Sequence, residues 1–491
     1  MIAVQELIDT LTRNDLLLSQ ERVSQVLINT VTNDSRRVGP KDLFIAIKGE
    51  QSDGHMFIDK AVKNGAIAIV YEVASAATLG LPAGVTGVHV RDARKAEAIV
   101  AAALYGNPAT SLRMIGVTGT NGKTSTTYLI HGLLQKAGIS SGLIGTVETL
   151  TGKRSIDSKQ TTPGPLDLHE LLNEMRENDC TACAMEVSSH AIRQDRIFGI
   201  PFHVAAFTNL TQDHLDYHSS MDEYFNTKKR LFDELPSGAF AVTNMNDARG
   251  SDIIRDTRAA RIRYGSSSRN DVGFVLKNQN MNGLEIEING RSAHFNLLGE
   301  FNASNLACAY AVGLAMGIDE DNLFDFLSLS TPIPGRFESI STDDERLIVV
   351  DYAHTPDALD KVLSALIHIK RQDARLWCVF GCGGDRDTKK RPLMAAVAEK
   401  WSDEIVVTSD NPRTENPQEI LNEIEEGFSE SSNVKLMVDR GDAIRYVADH
   451  SQPGDVILVA GKGSETYQVI GNERVHFDDR EKAREYFGVN T

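Results

Sequence analysis

The segment from residue 119 to residue 125 limits the fold of this chain more than any other part of the sequence. It reads Gly119-Thr120-Asn121-Gly122-Lys123-Thr124-Ser125 and follows a short apolar run, Met114 to Val117. After it, apolar residues recur at helical spacing until Gly138: Tyr128, Leu129, Ile130, Leu133, Leu134 and Ala137. This order predicts a buried strand, a glycine-rich turn and a helix. We therefore expect a domain of the α/β class around this segment.

A turn of this composition at the start of a helix can hold a phosphate group. Backbone N–H groups and the positive end of the helix attract an anion there. Lys123 adds a cation, and the Thr124 hydroxyl can reach Mg²⁺. The strict spacing of such loops has glycine at position 117, where this chain has Val117. A glycine-rich turn without a ligand is the alternative, but no structural reason requires Gly-Lys-Thr here, so we predict a nucleotide site.

Chain length and the positions of glycine and proline predict three domains. A domain usually spans about 100–200 residues, and the chain has 491. Glycine and proline interrupt helical patterns at two places, Tyr105 to Pro108 and Thr331 to Gly335. We place the domains at residues 1–107, 108–332 and 333–491.

Charge argues against nucleic acid and anionic membranes as partners. The chain has 51 Lys and Arg residues against 68 Asp and Glu residues, a net charge of -17. An acidic field of this kind repels polyanions. Any phosphate group must therefore be held by a local group of cations, and we expect small molecules as partners.

We expect a monomer in the cytoplasm, without membrane insertion. The first six residues lack the basic start and apolar stretch of a secretory signal, and the longest apolar run, Ala98 to Tyr105, is far shorter than the ~18 residues of a membrane helix. Five cysteines, an odd number, favour a reducing compartment. The pairs Cys180/Cys183 and Cys378/Cys382 could bind zinc, but they adjoin apolar runs, which favours small buried side chains.

The C-terminal third of the chain contains apolar runs that end in polar or glycine-rich segments. The runs are Leu347 to Val350, Leu376 to Phe380, Ile405 to Val407 and Val456 to Ala460. Such runs, separated by helical patterns, predict a parallel sheet covered on both faces, with ligands beyond the carboxyl ends of its strands. One of these helices is predicted to begin with Asn416 as cap and Pro417 in the first turn.

Several further segments occur in the order found in one family. Besides Thr118 to Thr124, they are Met185-Glu186-Val187-Ser188-Ser189-His190, Thr208-Asn209-Leu210, Asp213-His214-Leu215-Asp216, Tyr224 with Lys228, Gly299 with Phe301-Asn302 and Asn305, and Gly335-Arg336-Phe337-Glu338. They resemble the muramyl ligases, whose ATP loop also resembles that of the related folylpolyglutamate synthetases. The resemblance spans nearly the whole chain. It implies a P-loop ATPase-like central domain with a mostly parallel sheet, a Rossmann-like C-terminal domain and a smaller N-terminal α/β domain that binds the UDP-sugar.

A second divalent ion is implied beside the nucleotide. From the residues alone, Glu186 and His214 lie near the ends of apolar runs and can hold such an ion. The resemblance implies that both bind Mg²⁺, together with Thr124 at the phosphates and Lys228 as its carbamate. Lys229 competes for the last role, and the spacing from Tyr224 in the family selects Lys228.

The resemblance also assigns the remaining nucleotide contacts and a catalytic set. Asn302 resembles the residue that reads adenine, and Asp351 lies in a segment, with His354, that matches one near the ribose. Arg336 resembles the arginine that reaches the γ-phosphate from the C-terminal domain, so that domain closure completes the site. The implied catalytic residues are Lys123, Glu186, His214, Lys228 and Arg336.

Two loops of the N-terminal domain and part of the central domain resemble the sites for a UDP-N-acetylmuramoyl dipeptide. The N-terminal contacts implied are Asn33, Ser35, Glu50, Gln51 and Ser52. Those of the central domain are Gln160, Thr161, Thr162, Ser188, Gln194 and Arg196. Gln160 departs from the asparagine usual at that position.

The segment Asp410-Asn411-Pro412-Arg413 resembles the signature of the family members that add meso-diaminopimelate. This amino acid carries a second carboxylate, and an arginine can bind it through two charge-assisted hydrogen bonds. The resemblance adds Arg386, Gly461 and Glu465 to the pocket, with Glu465 receiving an ammonium group. Ser464 stands where the family commonly has histidine.

The reaction implied is ATP-dependent amide-bond formation through an acyl phosphate, in peptidoglycan synthesis. ATP and Mg²⁺ are the implied cofactors. Two alternatives stay open at this point. One is a folylpolyglutamate synthetase, against which the N-terminal loops and residues 410–413 argue. The other is a nucleotide-binding regulator without catalysis, against which Lys123, Glu186 and Lys228 argue.

Overall fold

The fold is described from a computed structural model of the chain. It describes residues 2–23, 26–49, 52–72, 80–213, 217–429 and 433–489. Within these residues the strands form three large sheets, which follow one another along the chain, and two small two-stranded sheets. The α/β class predicted from the sequence is confirmed.

The N-terminal part is a five-stranded sheet with helices packed on it. Its sheet order is β2-β7-β6-β5-β4, and only the β2–β7 pair is antiparallel. Its elements are β1 (Ile2–Ala3), α1 (Val4–Arg13), β2 (Leu17–Glu21), β3 (Leu27–Ile28), β4 (Val31–Thr32), β5 (Leu43–Ile45), α2 (Ile58–Lys63), β6 (Ala68–Tyr71), β7 (Thr86–Val90) and α3 (Ala93–Leu104).

The central part contains the largest sheet, with order β11-β10-β9-β12-β8-β13-β14-β15-β16-β17-β18. It is parallel from β9 to β16 and antiparallel at both ends. Its elements are β8 (Arg113–Thr118), α4 (Lys123–Lys136), β9 (Ser141–Ile144), β10 (Glu148–Leu150), β11 (Ser155–Asp157), α5 (Pro165–Glu177), β12 (Ala182–Glu186), α6 (Ser189–Arg193), β13 (Phe202–Phe207), α7 (Met221–Asp233), β14 (Phe240–Asn244), α8 (Gly250–Ile253), β15 (Ala260–Gly265), β16 (Val272–Asn280), β17 (Gly283–Ile288), β18 (Arg291–Phe295), α9 (Phe301–Ala315) and α10 (Glu320–Ser328).

The C-terminal part is a six-stranded sheet of order β19-β20-β24-β21-β22-β23, parallel except for its edge strand β19. A hairpin, β25 with β26, follows the last parallel strand. The elements are β19 (Glu338–Ser341), β20 (Leu347–Asp351), α11 (Pro356–Ile369), β21 (Leu376–Phe380), α12 (Lys390–Trp401), β22 (Glu404–Thr408), α13 (Pro417–Glu425), β23 (Val434–Met437), α14 (Arg440–His450), β24 (Val456–Ala460), β25 (Tyr467–Ile470), β26 (Glu473–His476) and α15 (Asp479–Tyr486).

Alternate residues of the parallel strands enter separate cores, so both faces of the sheets are covered. In β8, Ile115 and Val117 join the core under α4 and α9, whereas Met114 joins the core under α5 and α7. In β20, Val349 and Val350 likewise belong to different cores. Strands buried on both sides must be apolar throughout, which is why the apolar runs of the sequence predicted them.

Helix starts and strand positions agree closely with the sequence. Asn416 accepts a hydrogen bond from Gln418 N–H at 3.0 Å, and α13 begins at Pro417, as predicted. Its buried face is formed by Ile420, Leu421 and Ile424, but the helix ends before Phe428. Strands β21 and β24 occupy the predicted ranges. None of the helices in the described ranges is long and apolar enough to cross a bilayer.

We propose the domain division predicted from the sequence, at residues 1–107, 108–332 and 333–491. Its support is that each of these segments contains one of the three large sheets. All five cysteines are buried thiols distributed over the central and C-terminal segments.

Candidate active site

A cleft of about 780 Å³ joins the central sheet to the C-terminal sheet. Its walls come from the loops after β8, β12 and β13 on one side and from residues around β20 and α11 on the other. Six cationic side chains line it: Lys123, Arg196, Lys228, Arg336, Lys361 and Arg386. A chain of net charge -17 therefore concentrates cations where a phosphate group can be bound.

Residues 119–125 form a tight turn whose glycines are required by close contacts. Gly119 has φ 153° and Gly122 has φ 81°. A Cβ atom on Gly119 would overlap the Thr208 hydroxyl, and one on Gly122 would lie 2.6 Å from Asn305 Oδ1. The turn thus packs directly on the loop after β13 and on α9, and α4 begins at Lys123. Residues Thr120 to Ser125 line the cleft, as predicted for a phosphate loop.

Lys123 is held by the loop itself. Its ammonium group donates hydrogen bonds to the carbonyl oxygens of Gly119 at 2.9 Å and Thr120 at 2.7 Å. Burial lowers its pKa from the ordinary value, the positive charge of Arg336 acts in the same direction, and Glu186 and Asp213 oppose the shift. An anionic phosphate in this position would stabilise the charged form of the lysine.

Lys228, but not its neighbour Lys229, enters the cleft from α7. The Lys228 ammonium group donates to Gly119 O at 3.0 Å and lies 4.4 Å from the centre of the Tyr224 ring. Burial first, and then the charge of Lys123, hold its pKa well below the ordinary value. Lys229 instead pairs with Asp233 and Asp256 on the outer side of the helix. The two adjacent lysines therefore occupy different environments.

Glu186 lies at the end of β12 and is 1% exposed. One of its oxygens, Oε1, accepts a hydrogen bond from Thr146 N–H at 2.7 Å, and Oε2 lies 3.2 Å from the Thr146 hydroxyl. Within the described residues, no group of three or more His, Cys, Asp and Glu side chains with metal-binding geometry is present. His214 lies outside the described residues.

The donor set fits Mg²⁺ on one condition. Thr124 and Glu186 supply oxygen atoms, which this ion prefers, but an unmodified Lys228 would bring a second amine beside Lys123. A carbamate on Lys228 would replace that amine with a carboxylate. The residues fit the ion if the lysine is modified in this way.

Arg336 reaches the cleft from the loop before β19. Its guanidinium carbon lies 4.4 Å from the centre of the Tyr352 ring. Its buried Nε–H finds no acceptor in the described part of the chain. The loop is held by Asp351, whose two carboxylate oxygens accept from the backbone N–H groups of Phe337 and Ala353, each at 2.7 Å. Burial raises the pKa of Asp351.

Asn302 is buried in the first turn of α9 and does not itself form the cleft wall. Its Nδ2 donates to Leu298 O at 2.8 Å, and its Oδ1 accepts from Asn305 at 2.8 Å. The neighbouring side chains of Phe301, Ser304 and Asn305 line the cleft. The Asn302 amide therefore ties the first turn of α9 to Leu298 and to Asn305.

Arg196 gathers the predicted dipeptide contacts into one group. It donates to Gln160 Oε1 at 2.8 Å, to Thr162 O at 2.7 Å and to Gln194 Oε1 at 2.7 Å. Gln160, Thr161, Thr162, Ser188 and Arg196 all line the cleft. The glutamine at position 160 therefore pairs directly with the arginine.

The predicted uridine contacts lie in the N-terminal part, away from the cleft. The Asn33 amide donates to Glu97 Oε1 at 2.7 Å, and Ser35 is buried, with its carbonyl accepting from Asn64. Ser52 is exposed, and its carbonyl accepts from Gly49 N–H at 2.9 Å. Glu50 and Gln51 lie outside the described residues.

The predicted amino-acid contacts come together at the carboxyl ends of β22 and β24. Asn411 donates to Glu465 Oε2 at 2.9 Å. Gly461 lies so close to Asp410 that a Cβ would be 2.9 Å from its carboxylate. The Arg413 guanidinium donates to Gly384 O at 2.7 Å. Pro412 is buried beside Gly384, and Arg386 lies where this group meets the cleft.

Comparison with known proteins assigns the chain to a family. Three family models match: "Mur ligase family, catalytic domain" at residues 27–105, "Mur ligase middle domain" at 117–313 and "Mur ligase, glutamate ligase domain" at 335–463. The chain is 41% identical over 466 residues to a UDP-N-acetylmuramoyl-L-alanyl-D-glutamate--2,6-diaminopimelate ligase of Cytophaga hutchinsonii, covering 94% of this chain and 95% of that protein. The chain belongs to the Mur ligase family.

Two further similarities extend over nearly all of this Mur ligase. A ligase of the same description from Geobacillus kaustophilus is 43% identical over 462 residues, covering 92% of this chain and 93% of the relative. A solved structure of a UDP-N-acetylmuramoyl-L-alanyl-D-glutamate--2,6-diaminopimelate ligase has a TM-score of 0.70 at 32% identity and covers 99% of both chains. The muramyl ligase resemblance and the three-domain α/β architecture are thus confirmed.

The sequence did not reveal several polar side chains that organise the site of this Mur ligase. Lys462 is fully buried among the predicted amino-acid contacts, and Asp357 joins α11 to the phosphate loop. The Tyr352 ring packs against the Arg336 guanidinium. Tyr352 directly follows strand β20, and Lys462 lies two residues after the end of β24. Their positions at the carboxyl ends of parallel strands could have identified them as site residues. Asp357 could not be found in this way, because Asn121 and Thr211, its partners in the central part, lie more than 140 residues away in the chain.

Proposed function

We propose that this Mur ligase joins meso-diaminopimelate to UDP-N-acetylmuramoyl-L-alanyl-D-glutamate, with ATP hydrolysed to ADP and phosphate, in peptidoglycan synthesis. The observation that carries the proposal is the continuity of the site. The phosphate loop, Arg336 and the Arg196 group share one cleft, which Arg386 also lines, and a Cβ on Gly383 would lie within 4 Å of both Arg386 and Arg413. Relatives at about 40% identity carry this activity in their names.

The reaction proceeds in two displacements. First, the γ-carboxylate of the D-glutamyl residue attacks the γ-phosphorus of ATP, which forms an acyl phosphate and releases ADP. Then an amino group of diaminopimelate, after losing a proton, attacks the acyl carbon, and phosphate leaves with the C–O electron pair. Both steps need two reactants held in line, so positioning and charge stabilisation dominate over covalent catalysis.

Different cations of the cleft bind different parts of the ATP phosphates. Lys123 and the backbone N–H groups of residues 119–125 hold the β- and γ-phosphates, and Arg336 approaches the γ-phosphate from the other wall. The Nε–H of Arg336, which has no acceptor among the described residues, is a donor that a phosphate oxygen would satisfy. Asn302 binds adenine, and Asp351 holds the Arg336 loop close to the ribose.

Mg²⁺ would neutralise charge on the transferring phosphoryl group. Thr124, Glu186, His214 and the carbamate of Lys228 would hold it. The carbamate is supported by the burial of Lys228 and its lowered pKa, because only a neutral amine adds to CO₂. Proximity to Lys123 favours the exchange of a second positive charge for a negative one.

The UDP substrate extends from the N-terminal part into the cleft, and the amino acid binds in the C-terminal domain. Asn33, Ser35, Glu50, Gln51 and Ser52 contact the UDP group, and the Arg196 group with Ser188 holds the peptide. Arg413 and Arg386 bind the distal carboxylate of diaminopimelate, while Glu465 and Asp410, placed by Asn411, Pro412 and Gly461, bind its distal ammonium group. We further propose a cytoplasmic monomer, since buried free thiols suit a reducing compartment.

An ADP-release assay with the UDP dipeptide and a panel of amino acids tests the function. We expect turnover with meso-diaminopimelate, at least about 100-fold weaker turnover with lysine, because lysine lacks the second carboxylate, and none with glutamate. Equal use of lysine would reduce the proposal to an amide ligase of other specificity.

Lys123→Ala provides the control for the ATP site. Loss of a cation aimed at the transferring phosphate costs about 10²–10³-fold in kcat. Binding of the UDP dipeptide, measured by calorimetry without ATP, should stay within about twofold, because that substrate occupies other residues. A fully active Lys123→Ala enzyme would contradict the assignment of residues 119–125.

A further inference from the structure

A buried lysine follows strand β24. The side chain of Lys462 is 0% exposed, although a lysine is almost never fully buried unless it is paired. Taking an ammonium group out of water costs several kcal/mol in general unless charges and hydrogen bonds replace the lost hydration. The position of Lys462 therefore depends on the groups around it.

Three side chains of the amino-acid group surround the Lys462 ammonium. It donates to Glu465 Oε2 at 3.1 Å and to Asn411 Oδ1 at 3.3 Å, and Asp410 Oδ1 lies 3.9 Å away. The Tyr467 ring lies on a further side, with its centre 5.6 Å from Nζ. The two hydrogen bonds and the longer ion pair of the ammonium group thus all involve predicted substrate contacts.

Lys462 and Asn411 together set the orientation of the Glu465 carboxylate. Its Oε2 accepts hydrogen bonds from the Lys462 ammonium group at 3.1 Å and from the Asn411 amide at 2.9 Å. Among the described residues, none donates a hydrogen bond to its other oxygen, Oε1. The side chain is 20% exposed. One oxygen is therefore fixed inside the protein, and the other remains free for a ligand.

Charge points to the same role. Asp410 and Glu465 are two carboxylates beside one ammonium group, so the group retains a negative charge that suits a cationic ligand. Without Lys462 the two carboxylates would lose the cation that contacts them, and the buried Arg440 nearby already pairs with Asp479, so the loss costs energy and permits both carboxylates to rotate. The lysine thus allows a second carboxylate to be kept where an amine binds.

We propose that Lys462 is a positioning residue for the amino-acid substrate: it fixes Glu465 so that Oε1 receives the ammonium group of that substrate. The inference rests on the proposed function. Lys462 acts through Glu465 and does not touch the substrate. A merely structural lysine would change stability and all substrates alike, whereas a positioning residue changes one KM.

Steady-state kinetics of Lys462→Met test the proposal. This variant keeps the length and apolar stem of the side chain and removes its charge. We expect the KM for diaminopimelate to rise about 10- to 100-fold, as for other residues that orient a ligand-binding group. The KM values for ATP and the UDP dipeptide should stay within about twofold. Lys435→Met, at an exposed position of the same domain, is the control and should leave all three unchanged.

Two further measurements separate positioning from folding. In Lys462→Met/Glu465→Gln, the loss should equal that of Glu465→Gln alone, because Lys462 acts through that carboxylate. Added ethylammonium should restore part of the activity of Lys462→Ala. If circular dichroism finds Lys462→Met unfolded, Lys462→Gln is measured in its place.

The outcomes distinguish this inference from the function on which it rests. A folded variant with an unchanged KM for diaminopimelate, or with all three KM values raised equally, would overturn the role of Lys462 alone. A wild-type enzyme that releases no ADP with diaminopimelate would overturn the proposed function, and this inference with it.

Discussion

At the scale of single residues, environment decides chemistry. Lys228 and Lys229 are the same residue type and adjacent in sequence. Lys228 is buried against the phosphate loop, whereas Lys229 forms two ion pairs away from the cleft. Successive helical residues point about 100° apart. The helix α7 therefore presents only one of the two lysines to the cleft, and burial makes that lysine the one suited to modification.

Replacement of Lys228 tests the carbamate. Lys228→Ala should lower kcat about 10²–10³-fold, since it removes an oxygen-donating group from beside the transferring phosphoryl group. Added acetate or propionate should restore part of the rate by filling the space with a carboxylate. The measurement is ADP release with and without the acid.

Lys229→Ala is the matched control for this experiment. The Lys229 ammonium pairs with Asp233 and Asp256 away from the cleft, so this variant should keep its rate within about twofold. A fully active Lys228→Ala enzyme, or equal damage from both replacements, would remove the special role of Lys228.

At the scale of elements, the turn after β22 fixes the direction of Arg413. The residue has φ 51°, a left-handed conformation that is uncommon for a side chain other than glycine. Its N–H donates to Val469 O at 3.0 Å and its carbonyl accepts from Gly471 N–H at 2.7 Å, which ties the turn to the hairpin. The guanidinium contacts neutral carbonyl oxygens, so its charge can serve a carboxylate.

Arg413→Ala should therefore lose selectivity for diaminopimelate. Truncating one partner of a hydrogen-bonded charge pair costs about 2–5 kcal/mol, which corresponds to a rise in KM of about 30-fold or more. The small turnover with lysine should stay the same. Arginine and alanine both have a Cβ atom, so the replacement does not change the backbone strain at φ 51°.

The comparison is the ratio of kcat/KM for diaminopimelate to that for lysine. Arg445→Ala, an exposed arginine of the same domain, should leave this ratio intact. If Arg413→Ala also leaves this ratio unchanged, another residue binds the distal carboxylate.

At the scale of the whole molecule, one carboxylate joins the central and C-terminal domains. Asp357, in the first turn of α11, accepts from Asn121 of the phosphate loop at 2.8 Å and from Thr211 at 3.1 Å. Lys361 donates to the same oxygen at 2.8 Å. In the proposed reaction Arg336 approaches the γ-phosphate from the C-terminal domain, so a contact that holds the two domains together should affect the rate of the first displacement.

Asp357→Asn should favour a more open arrangement of the domains. A hydrogen bond to a charged group contributes about 1.5–3 kcal/mol, and its loss should lower kcat about three- to tenfold. Small-angle scattering should give a larger radius of gyration. The exposed Asp373→Asn of the same domain is the control. No change in either quantity would mean that this contact does not hold the domains together.

Much of the fold could be predicted because its signals are local. The strand before residue 119, the helix after it and the start of α13 follow from apolar spacing and capping residues within one turn of the chain. The phosphate loop was predicted for the same reason, although Val117 replaces the usual glycine. The glycines at 119 and 122 allow the turn, but their packing against Thr208 and Asn305 depends on distant elements.

The sequence by itself determined the three α/β domains and the family, because hydrophobic period, turn chemistry and ordered motifs are written in neighbouring residues. The tertiary structure alone decided that Lys228 faces Gly119, that Asp357 reaches Asn121, and that Lys462 is buried between Asn411 and Glu465. These contacts depend on how separate elements pack, and burial among particular partners sets the charge and orientation of a side chain.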